Sequence, residues 1–403
     1  MPKQVLIFSL SYYPNFIGGA EIAIKEIANR IPPDEIAFTM ITLRYEADAP
    51  EEEIIGNIRV YRVGKGKKNL SYSSSFAAEF YFHKILFVPQ AALKALSLHK
   101  KIHFDGAWAM MTYMLFPLVL MRLRGVRIPY ALTLQEGDPF ERVFERWRIR
   151  LFSPLLFYGI RHAAVVQVIS HFLGTWARKC GYKGILEVIP NGIPLKEFSH
   201  PYSSHEILAK KRELEKKEGE VYLVTTSRLV HKNAVDDVIR ALALLPEHIF
   251  FIIYGIGPDE EMLRSLAKGY AVESRVKFMN QIAHADLPLA LVICDIFIRP
   301  SRSEGMGNSF IEAMALGLPV IATQEGGIAD FLFDEKRNPE KETTGWAVDV
   351  DSPQHIADAV SNILNTPEKV LRVTNNAKKM VQEKYDWKYI GETIHTMIFN
   401  QLL

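Results

Sequence analysis

Residues 299–323 read RPSRSEGMGNSFIEAMALGLPVIAT, the pattern of a strand end, a glycine-bearing loop and a helix. In open α/β sheets, ligands bind at such a junction between a strand and the helix that follows it. Gly305 and Gly307 let the backbone approach a ligand closely. The N–H groups of Gly307, Asn308 and Ser309 at the helix start are typical of an anion site. The stretch therefore predicts a phosphate-binding turn.

Two glutamates of this stretch, Glu304 in the loop and Glu312 in the helix, stand eight residues apart. We expect both to face the same bound molecule from different heights, one holding sugar hydroxyls and the other a ribose diol. The spacing leaves an alternative open, in which Glu304 caps the helix and Glu312 is a surface residue.

Short β-branched runs alternate with amphipathic segments along the whole chain, which is typical of βαβ units and an α/β fold. At 403 residues the chain exceeds the size at which one core stops growing, so two domains are expected. Between the halves, Ile189–Pro194 contains two prolines and an Asn-Gly pair that interrupt regular structure. The predicted strands are Val5–Ser9, Phe38–Thr42, Ile58–Val63, Gly106–Ala109, Tyr130–Thr133, Ala164–Ile169, Leu186–Ile189, Tyr222–Thr226, Phe250–Tyr254, Val276–Met279, Ile296–Arg299, Pro319–Ala322 and Trp346–Val348.

Composition limits the classes of function. A net charge of +2 leaves no basic surplus for nucleic acid, and 48% hydrophobic residues are typical of a globular protein. Cys180 and Cys294 are the only cysteines, too few for a disulfide framework or a multi-cysteine metal site. The apolar run Val5–Phe8 is too short for a signal-peptide core, so we expect a cytoplasmic protein.

Residues 304–312 resemble the E-x7-E motif of the large retaining glycosyltransferase family 4. The resemblance implies a GT-B fold, with two Rossmann-like doubly wound domains facing each other across a cleft. It implies an acceptor-side domain at 1–190 and a nucleotide-sugar donor domain at 191–384. It also implies that residues 385–403, with a last helix at Trp387–Gln401, pack back on the first domain.

Four further landmarks of the family occur in the family's order. Tyr13–Glu21, with Gly18 and Gly19, resembles the glycine loop near the donor phosphates, and Ile189–Ile193 resembles the interdomain segment. Thr226–Leu229 resembles the phosphate-binding arginine turn, and Tyr254–Pro258, with Gly255, resembles the turn beneath the nucleotide.

The resemblance implies transfer of a hexosyl-type sugar from a UDP or GDP sugar to a hydroxyl of a glycan or lipid-linked acceptor. Arg228 and a nearby lysine would neutralise the departing diphosphate, which is electrostatic stabilisation of a leaving group. Glu312 would accept hydrogen bonds from the ribose, and backbone amides after Glu304 would hold the sugar. No cofactor is implied besides the donor substrate. The implied donor-binding residues are Gly18, Gly19, Gly255, Gly305, Met306, Gly307, Asn308, Ser309 and Glu312, and the implied catalytic residues are Glu304, Arg228 and Lys232.

Two positions depart from the family pattern. Asn233 stands where the phosphate lysine usually lies, and Lys232, one residue earlier, could still reach the phosphate. Many members carry a histidine after the fifth strand, where this chain has Gln135, Glu136 and Asp138. We expect Gln135 to keep a hydrogen bond to the sugar, with Glu136 or Asp138 contacting the acceptor. A polar loop without such a role is the alternative.

Retention could proceed through a covalent carboxylate intermediate or by same-face attack, and the resemblance favours same-face attack. Asp349-Val350-Asp351 matches the metal-binding D-x-D of a different glycosyltransferase fold, but three residues match easily by chance. His99 and His103 are spaced like helical zinc ligands but lack the glutamate of H-E-x-x-H and any nearby cysteine. We interpret them as surface residues and predict no metal.

The acceptor side offers a candidate membrane surface. Residues Phe140–His162 mix five arginines with aromatic and aliphatic residues, a composition that suits a helix at a membrane interface. Lys65, Lys67 and Lys68 lie in a loop of the same domain. These features predict peripheral contact with the inner face of the membrane. The alternative is that the apolar side is domain core and the arginines are solvated.

Three other functions are weighed against glycosyl transfer. A dinucleotide-dependent oxidoreductase is disfavoured, because no G-x-G-x-x-G follows the first strand. A catalytically weak homologue that binds a nucleotide sugar or polysaccharide as an assembly partner is motivated by Asn233 and Gln135. An epimerase or phosphorylase of the same fold is a closer competitor. Contacts to the donor base are expected from the backbone around Asn280–Ile282.

Overall fold

The computed structural model describes residues 1–14, 18–66 and 74–403, with all side chains except those of 74–81, 147 and 148. The chain forms two compact units. Unit 1 comprises Met1–Asn191 and Trp387–Leu403, and unit 2 comprises Gly192–Asp386. The first boundary falls inside the predicted break at Ile189–Pro194.

Unit 1 is built on a sheet whose strand order is β3-β4-β2-β1-β5-β6-β7-β8. All neighbours are parallel except β3 and β4, which are antiparallel. The strands are β1 (Lys3–Phe8), β2 (Ile36–Leu43), β3 (Glu52–Ile55), β4 (Ile58–Val63), β5 (Gly106–Met110), β6 (Tyr130–Leu134), β7 (Val165–Val168) and β8 (Ile185–Val188). The helices are α1 (Gly19–Ala28), α2 (Ser74–Ile102), α3 (Leu115–Leu123), α4 (Phe140–Phe144), α5 (Trp147–Arg150), α6 (Ser153–Arg161), α7 (His171–Lys179), and at the end of the chain α16 (Trp387–Ile394) and α17 (Asn400–Leu402).

The predicted strands of unit 1 all occur in the sheet, and the structure adds β3. Every residue of the central strands β5 and β6 is buried, as expected of parallel strands covered on both faces. Strand β3 alternates between exposed and half-buried residues, and its Glu52 and Glu53 lie at the sheet edge. Charged side chains at an edge discourage pairing with another chain. Because of these charged residues, a search of the sequence for apolar runs does not find β3.

The last segment of the chain completes the core of unit 1. Trp387, Ile394 and Phe399 are buried in the same apolar cluster as the central strands. The ring of Phe399 lies 5.4 Å from Trp108 and 5.6 Å from Phe38, measured between centroids. A π-helical turn, His395–Phe399, joins α16 to α17, so the predicted last helix occurs with one irregular turn.

The segment Phe140–His162, predicted as one helix, instead forms the three short helices α4, α5 and α6. Pro154 accounts for the last break, because proline has no N–H and fits only the first turn of a helix, where it lies in α6. No helix in the described ranges has both the length and the apolar content of a membrane span.

Unit 2 contains a sheet of parallel strands in the order β11-β10-β9-β12-β13-β14. The strands are β9 (Val221–Thr226), β10 (Ile249–Tyr254), β11 (Val276–Phe278), β12 (Ile296–Arg299), β13 (Val320–Ala322) and β14 (Trp346–Ala347). The helices are α8 (Leu195–Phe198), α9 (Ser204–Glu213), α10 (Val235–Leu242), α11 (Glu260–Gly269), α12 (Leu287–Val292), α13 (Asn308–Ala315), α14 (Pro353–Asn365) and α15 (Pro367–Lys384).

This strand order is that of the doubly wound Rossmann sheet, in which the order reverses between the first and fourth strands. Here the reversal lies between β9 and β12. Ligands of such sheets bind outside the carboxyl ends of the strands at the point of reversal. The loops after β9 and β12, at Ser227–Asn233 and Pro300–Gly307, are therefore the place to look for a site.

Candidate functional site

The loops at the carboxyl edge of the unit 2 sheet are packed tightly against one another. Gly255, after β10, has φ +150°, and a Cβ there would lie 1.8 Å from the carbonyl oxygen of Ser227, after β9. The carbonyl of Glu304, after β12, accepts a hydrogen bond of 3.0 Å from the amide of Gly327. Contact between the loops thus fixes the floor of the site.

An ion pair holds Glu304 in place. Arg299, at the end of β12, is buried and donates from Nη2 to Glu304 Oε2. The other carboxylate oxygen accepts the Gly305 amide at 3.0 Å. Arg299 also donates to Ser309 Oγ at 2.8 Å, and its guanidinium carbon lies 4.4 Å from the ring centroid of Phe310. The loop is thereby tied to the first turn of α13.

The start of α13 has the geometry of an anion site. Gly307, the residue before the helix, has φ +87°, and a Cβ there would come within 2.8 Å of Arg299. The amides of Asn308 and Ser309 lie in the first turn, where a helix offers them no acceptor. Met306, between the two glycines, is buried at 2% exposure.

Glu312 lies on α13 beside a histidine. Its Oε1 is 3.1 Å from His284 Nε2, in the loop before α12, and only 9% of the Glu312 side chain is exposed. His284 Nδ1 lies 3.9 Å from Glu197 Oε2, so the imidazole stands between two carboxylates. Glu312 is therefore not a solvated surface residue, and Glu304 does not cap α13, whose N-cap is Gly307 without a side-chain cap.

The arginine turn after β9 carries two available cations. Within the described ranges, neither Arg228, which is exposed, nor the half-buried Lys232 makes a side-chain hydrogen bond or ion pair. Asn233 is buried, and its Nδ2 donates to the Arg228 carbonyl at 2.6 Å. Asn233 thus supports the backbone of the turn, and Lys232, the residue before it, is the second cation of this segment.

Polar atoms without partners line the same edge of the sheet. Over the part of the chain that the structure describes, the hydroxyls of Thr226, Ser227 and Tyr254 are buried and unpartnered. An unpaired buried hydroxyl costs free energy, so such atoms commonly mark places where a ligand or water binds.

A cavity of about 860 Å³ opens beside Tyr254. It is lined by Tyr254, by Met279, Gln281 and Ile282 in the loop after β11, and by one side of α9. The carbonyl of Asn280 is already engaged, because it accepts a 2.7 Å hydrogen bond from the Gly255 amide. The predicted base-contacting segment therefore borders a cavity.

The D-x-D sequence of unit 2 takes part in ion pairs. Asp351 pairs with Arg302 at 2.6 Å, and Asp349 pairs with Arg337 at 2.6 Å. Arg302 also donates to the two carboxylates of Asp236 and Asp237 at the start of α10. Among the residues described, no three His, Cys, Asp or Glu side chains are grouped as metal ligands.

In unit 1, the structure brings Gln135 together with the glycine loop. The side-chain amides of Gln135 and Asn191 hydrogen bond reciprocally at 3.1 Å. A Cβ on Gly19, the first residue of α1, would lie 3.8 Å from Asn191 Nδ2. Gly18 caps the same helix. Residues 15–17 and the predicted Lys67 and Lys68 lie outside the described ranges.

The two acidic residues after β6 differ in their surroundings. Glu136 is 4% exposed, and its carboxylate accepts the backbone amides of Thr112 at 2.7 Å and Gln135 at 3.0 Å. Burial raises the pKa of Glu136. Both carboxylate oxygens of Glu136 are thus engaged within the loop, and its contact with an acceptor stays a prediction. Asp138 is at the surface, 3.6 Å from Arg142.

Three residues of the site were not predicted from the sequence: Arg299, His284 and Asn191. Arg299 ends an apolar strand five residues before Glu304, and a charge in that place could have indicated a buried partner. His284 and Asn191 reach their partners only through tertiary contacts, 28 and 56 residues away along the chain.

Family models match most of the chain. Residues 17–197 match the model described as Glycosyltransferase Family 4, and residues 206–380 match Glycosyl transferases group 1. A GDP-mannose-dependent alpha-(1-6)-phosphatidylinositol monomannoside mannosyltransferase of Mycobacterium tuberculosis is 29% identical over 55% of this chain and 58% of its own length. An uncharacterized glycosyltransferase of Methanocaldococcus jannaschii is 24% identical over 97% of both chains. The chain thus spans less than two thirds of the length of the mycobacterial relative.

Solved structures share the fold. Sucrose-phosphate synthase from Thermosynechococcus elongatus superposes with a TM-score of 0.81 at 20% identity, over 99% of both chains. HepE of Anabaena, in complex with UDP and glucose, superposes with a TM-score of 0.75 at 20% identity, over 99% of this chain and 100% of HepE. These matches and the two Rossmann-like sheets confirm the GT-B fold and the resemblance seen in the sequence. The chain belongs to glycosyltransferase family 4, the glycosyl transferases group 1.

Proposed function

We propose that the chain is a retaining, metal-independent glycosyltransferase that moves a hexosyl-type sugar from a nucleoside diphosphate sugar to a hydroxyl of a glycan or lipid-linked acceptor. The observation that carries the proposal is the carboxyl edge of the unit 2 sheet. There the available cations of Arg228 and Lys232, the unpartnered hydroxyls of Thr226 and Ser227, and the first-turn amides of α13 surround the point of strand reversal. A diphosphate flanked by hydroxyl-rich groups fits this set of donors.

The names of related proteins support the choice of substrates. The mycobacterial relative is named for GDP-mannose and a phosphatidylinositol mannoside, and HepE was crystallised with UDP-glucose. A GDP or UDP sugar as donor, and a glycan or lipid-linked acceptor used in polysaccharide or glycolipid synthesis, are therefore the substrates we propose.

The proposed reaction needs charge stabilisation more than a protein nucleophile. The bond between the anomeric carbon and the phosphate oxygen breaks, and the acceptor oxygen bonds to the anomeric carbon on the same face. The acceptor proton passes to the departing phosphate. Arg228, Lys232 and the α13 amides would stabilise the charge that develops on the diphosphate, and stabilisation of this kind usually contributes most to the rate enhancement of an enzyme.

The remaining residues position the substrates. Glu312 would accept hydrogen bonds from the ribose in place of the one it now shares with His284. Glu304, bound by Arg299, would act by holding the Gly305–Gly307 amides toward the sugar. In unit 1 we assign Gly18 and Gly19 to the donor, as the family resemblance implies. We assign Gln135 to the sugar and Asp138, the more exposed of the two acidic residues after β6, to the acceptor.

Calorimetry with UDP, GDP, ADP and their common sugars tests the donor site. We expect one nucleotide to bind selectively and Arg228→Ala and Glu312→Ala each to weaken it at least about tenfold, since a hydrogen bond to a charged group contributes about 1.5–3 kcal/mol. Arg264→Ala, an exposed arginine of α11 paired with Glu260, is the matched control and should leave affinity unchanged. Unaltered binding in both site variants would refute the assignment.

Measurement of the reaction product distinguishes a glycosyltransferase from the alternative functions. Incubation with the selected donor and a glycan or lipid-linked acceptor should give a glycoside with the anomeric configuration of the donor, as read by NMR. A product from donor alone would indicate an epimerase, and sugar phosphate from orthophosphate and glycan would indicate a phosphorylase. Selective nucleotide binding without any product would favour the assembly-partner alternative.

A further inference from the structure

Between residues 82 and 93, the solvent-facing side of α2 is mainly apolar. Phe82, Ile85, Leu86 and Leu93 follow helical spacing along one face, and they are 60%, 65%, 37% and 56% exposed. The opposite face is apolar too and is buried, with Phe87 at 0% exposure. A surface helix normally carries polar residues toward solvent, and a helix that is apolar all round is normally covered. Among the residues that the structure describes, this exposed face of α2 therefore has no partner.

This face continues across neighbouring helices. Helix α3 packs against both α2 and α6. Tyr113 donates a 2.6 Å hydrogen bond to the Lys84 carbonyl of α2, and its ring lies 5.4 Å from Phe116 of α3. Phe116 lies 6.4 Å from Phe152, at the start of α6. A row of aromatic rings thus joins the exposed face of α2 to α6.

Large apolar side chains are exposed at the far end of this row as well. Leu151, Phe152 and Leu155 are 77%, 49% and 41% exposed. We call these three residues, with the four of α2, the apolar strip. Monomeric proteins seldom expose a contiguous set of large apolar side chains of this kind without a binding partner.

The chain segments that carry the apolar strip contain basic but no acidic residues. Residues 80–104, 106–135 and 146–186, which include the described exposed parts of α2, α3 and α6, contain no aspartate or glutamate. The exposed arginines of these segments include Arg124, Arg127, Arg146, Arg150 and Arg161. In a chain whose net charge is only +2, these segments are locally basic, and the exposed carboxylates of Glu141 and Glu145 come just before Arg146 along the chain.

Exposed apolar side chains together with nearby arginines indicate the kind of partner that this face binds. Interfacial protein surfaces insert apolar side chains to the level of the headgroups, while flanking arginines contact lipid phosphates. A protein partner for seven exposed apolar residues would not by itself require that the same segments carry exposed arginines and no carboxylate. We propose that the apolar strip docks unit 1 on an anionic lipid bilayer, which would present a lipid-linked acceptor at the headgroup level. The inference rests on the proposed function and adds the surface that makes contact.

Vesicle sedimentation of the full chain tests the proposal without donor or acceptor. Phosphatidylcholine vesicles with and without phosphatidylglycerol are the probes, and we expect preferential binding to the anionic ones that weakens with salt. The double variant Ile85→Asp/Leu151→Asp should bind at least about tenfold more weakly, since each lost insertion removes the burial of an aliphatic side chain. Arg146→Glu/Arg150→Glu should lose a similar factor on anionic vesicles only.

The matched control is Leu364→Asp/Leu371→Asp, which changes two exposed leucines of unit 2. It should sediment like the unaltered chain. Absence of vesicle binding, or binding that both strip variants retain, overturns the proposal. A dimer that the strip variant converts to monomer, without vesicle binding, would show that the face joins two copies and also overturns it. Nucleotide binding, measured by calorimetry on the same samples, does not depend on the apolar strip. Loss of nucleotide binding would therefore refute the proposed donor site, whereas loss of vesicle binding alone would refute only the membrane surface.

Discussion

The buried ion pair between Arg299 and Glu304 gives the sharpest prediction for unit 2. The two side chains are 7% and 12% exposed, so removal of one charge leaves the other uncompensated in the interior. Breaking a buried pair in this way costs about 3–5 kcal/mol. After Glu304→Gln, Arg299 keeps its hydrogen bonds to Ser309 and to the Thr226 carbonyl, so we take the lower end, about 3 kcal/mol.

Differential scanning calorimetry measures this cost. For a domain of this size, 1 kcal/mol shifts Tm by about 2–4 °C, so the transition of unit 2 should fall by about 6–12 °C in Glu304→Gln. The control is Glu260→Gln, which breaks the exposed helical pair with Arg264 and should change Tm by about 2 °C or less. The double variant Arg299→Met/Glu304→Leu should recover part of the loss, because neither charge is then buried alone. A Glu304→Gln shift no larger than that of Glu260→Gln would refute the reasoning.

Three further predictions concern the packing of side chains within each unit. Gly255→Ala should lower the free energy of unfolding by roughly 3 kcal/mol or more, because its Cβ would overlap a carbonyl oxygen at 1.8 Å; urea unfolding measures this, and a neutral effect would contradict the loop packing. Asn233→Ala should cost about 1–2 kcal/mol in the same measurement, since the Arg228 carbonyl loses its 2.6 Å donor. Burial raises the pKa of Cys180 and of Cys294 to about 12, so iodoacetamide at about pH 8 should label both slowly in the native protein and rapidly in guanidinium; fast native labelling would show that the thiols are accessible.

The strands of both sheets were predictable from the sequence for a simple physical reason. Parallel strands buried on both faces must be apolar runs, and the loops between them carry glycine, proline or asparagine. Strand β3 was missed because it pairs at an edge and contains two glutamates. The prediction of a single helix at Phe140–His162 was wrong, because apolar residues continue through the positions where the backbone turns between α4, α5 and α6.

The chemistry of the site was less accessible than its location. Residues 299–312 indicated a ligand-binding turn from local pattern alone. The same pattern could not show that Arg299 neutralises Glu304 or that His284 reaches Glu312, because these contacts depend on how distant segments pack. Nor could the sequence show that Glu136, in the polar loop after β6, is buried with its carboxylate against backbone amides.

The way unit 1 is assembled constrains how the chain acquires its structure during translation. Its core needs Trp387 and Phe399, yet the ribosome makes all of unit 2 between these residues and Asn191. Until the last helices emerge, the rings of Trp108 and Phe38 lack the partner that covers them. Unit 2 can finish folding first, although it is encoded second. A nascent chain stopped at Asp386 would therefore carry one complete domain and one with an open apolar groove, the state in which we expect chaperones to engage it.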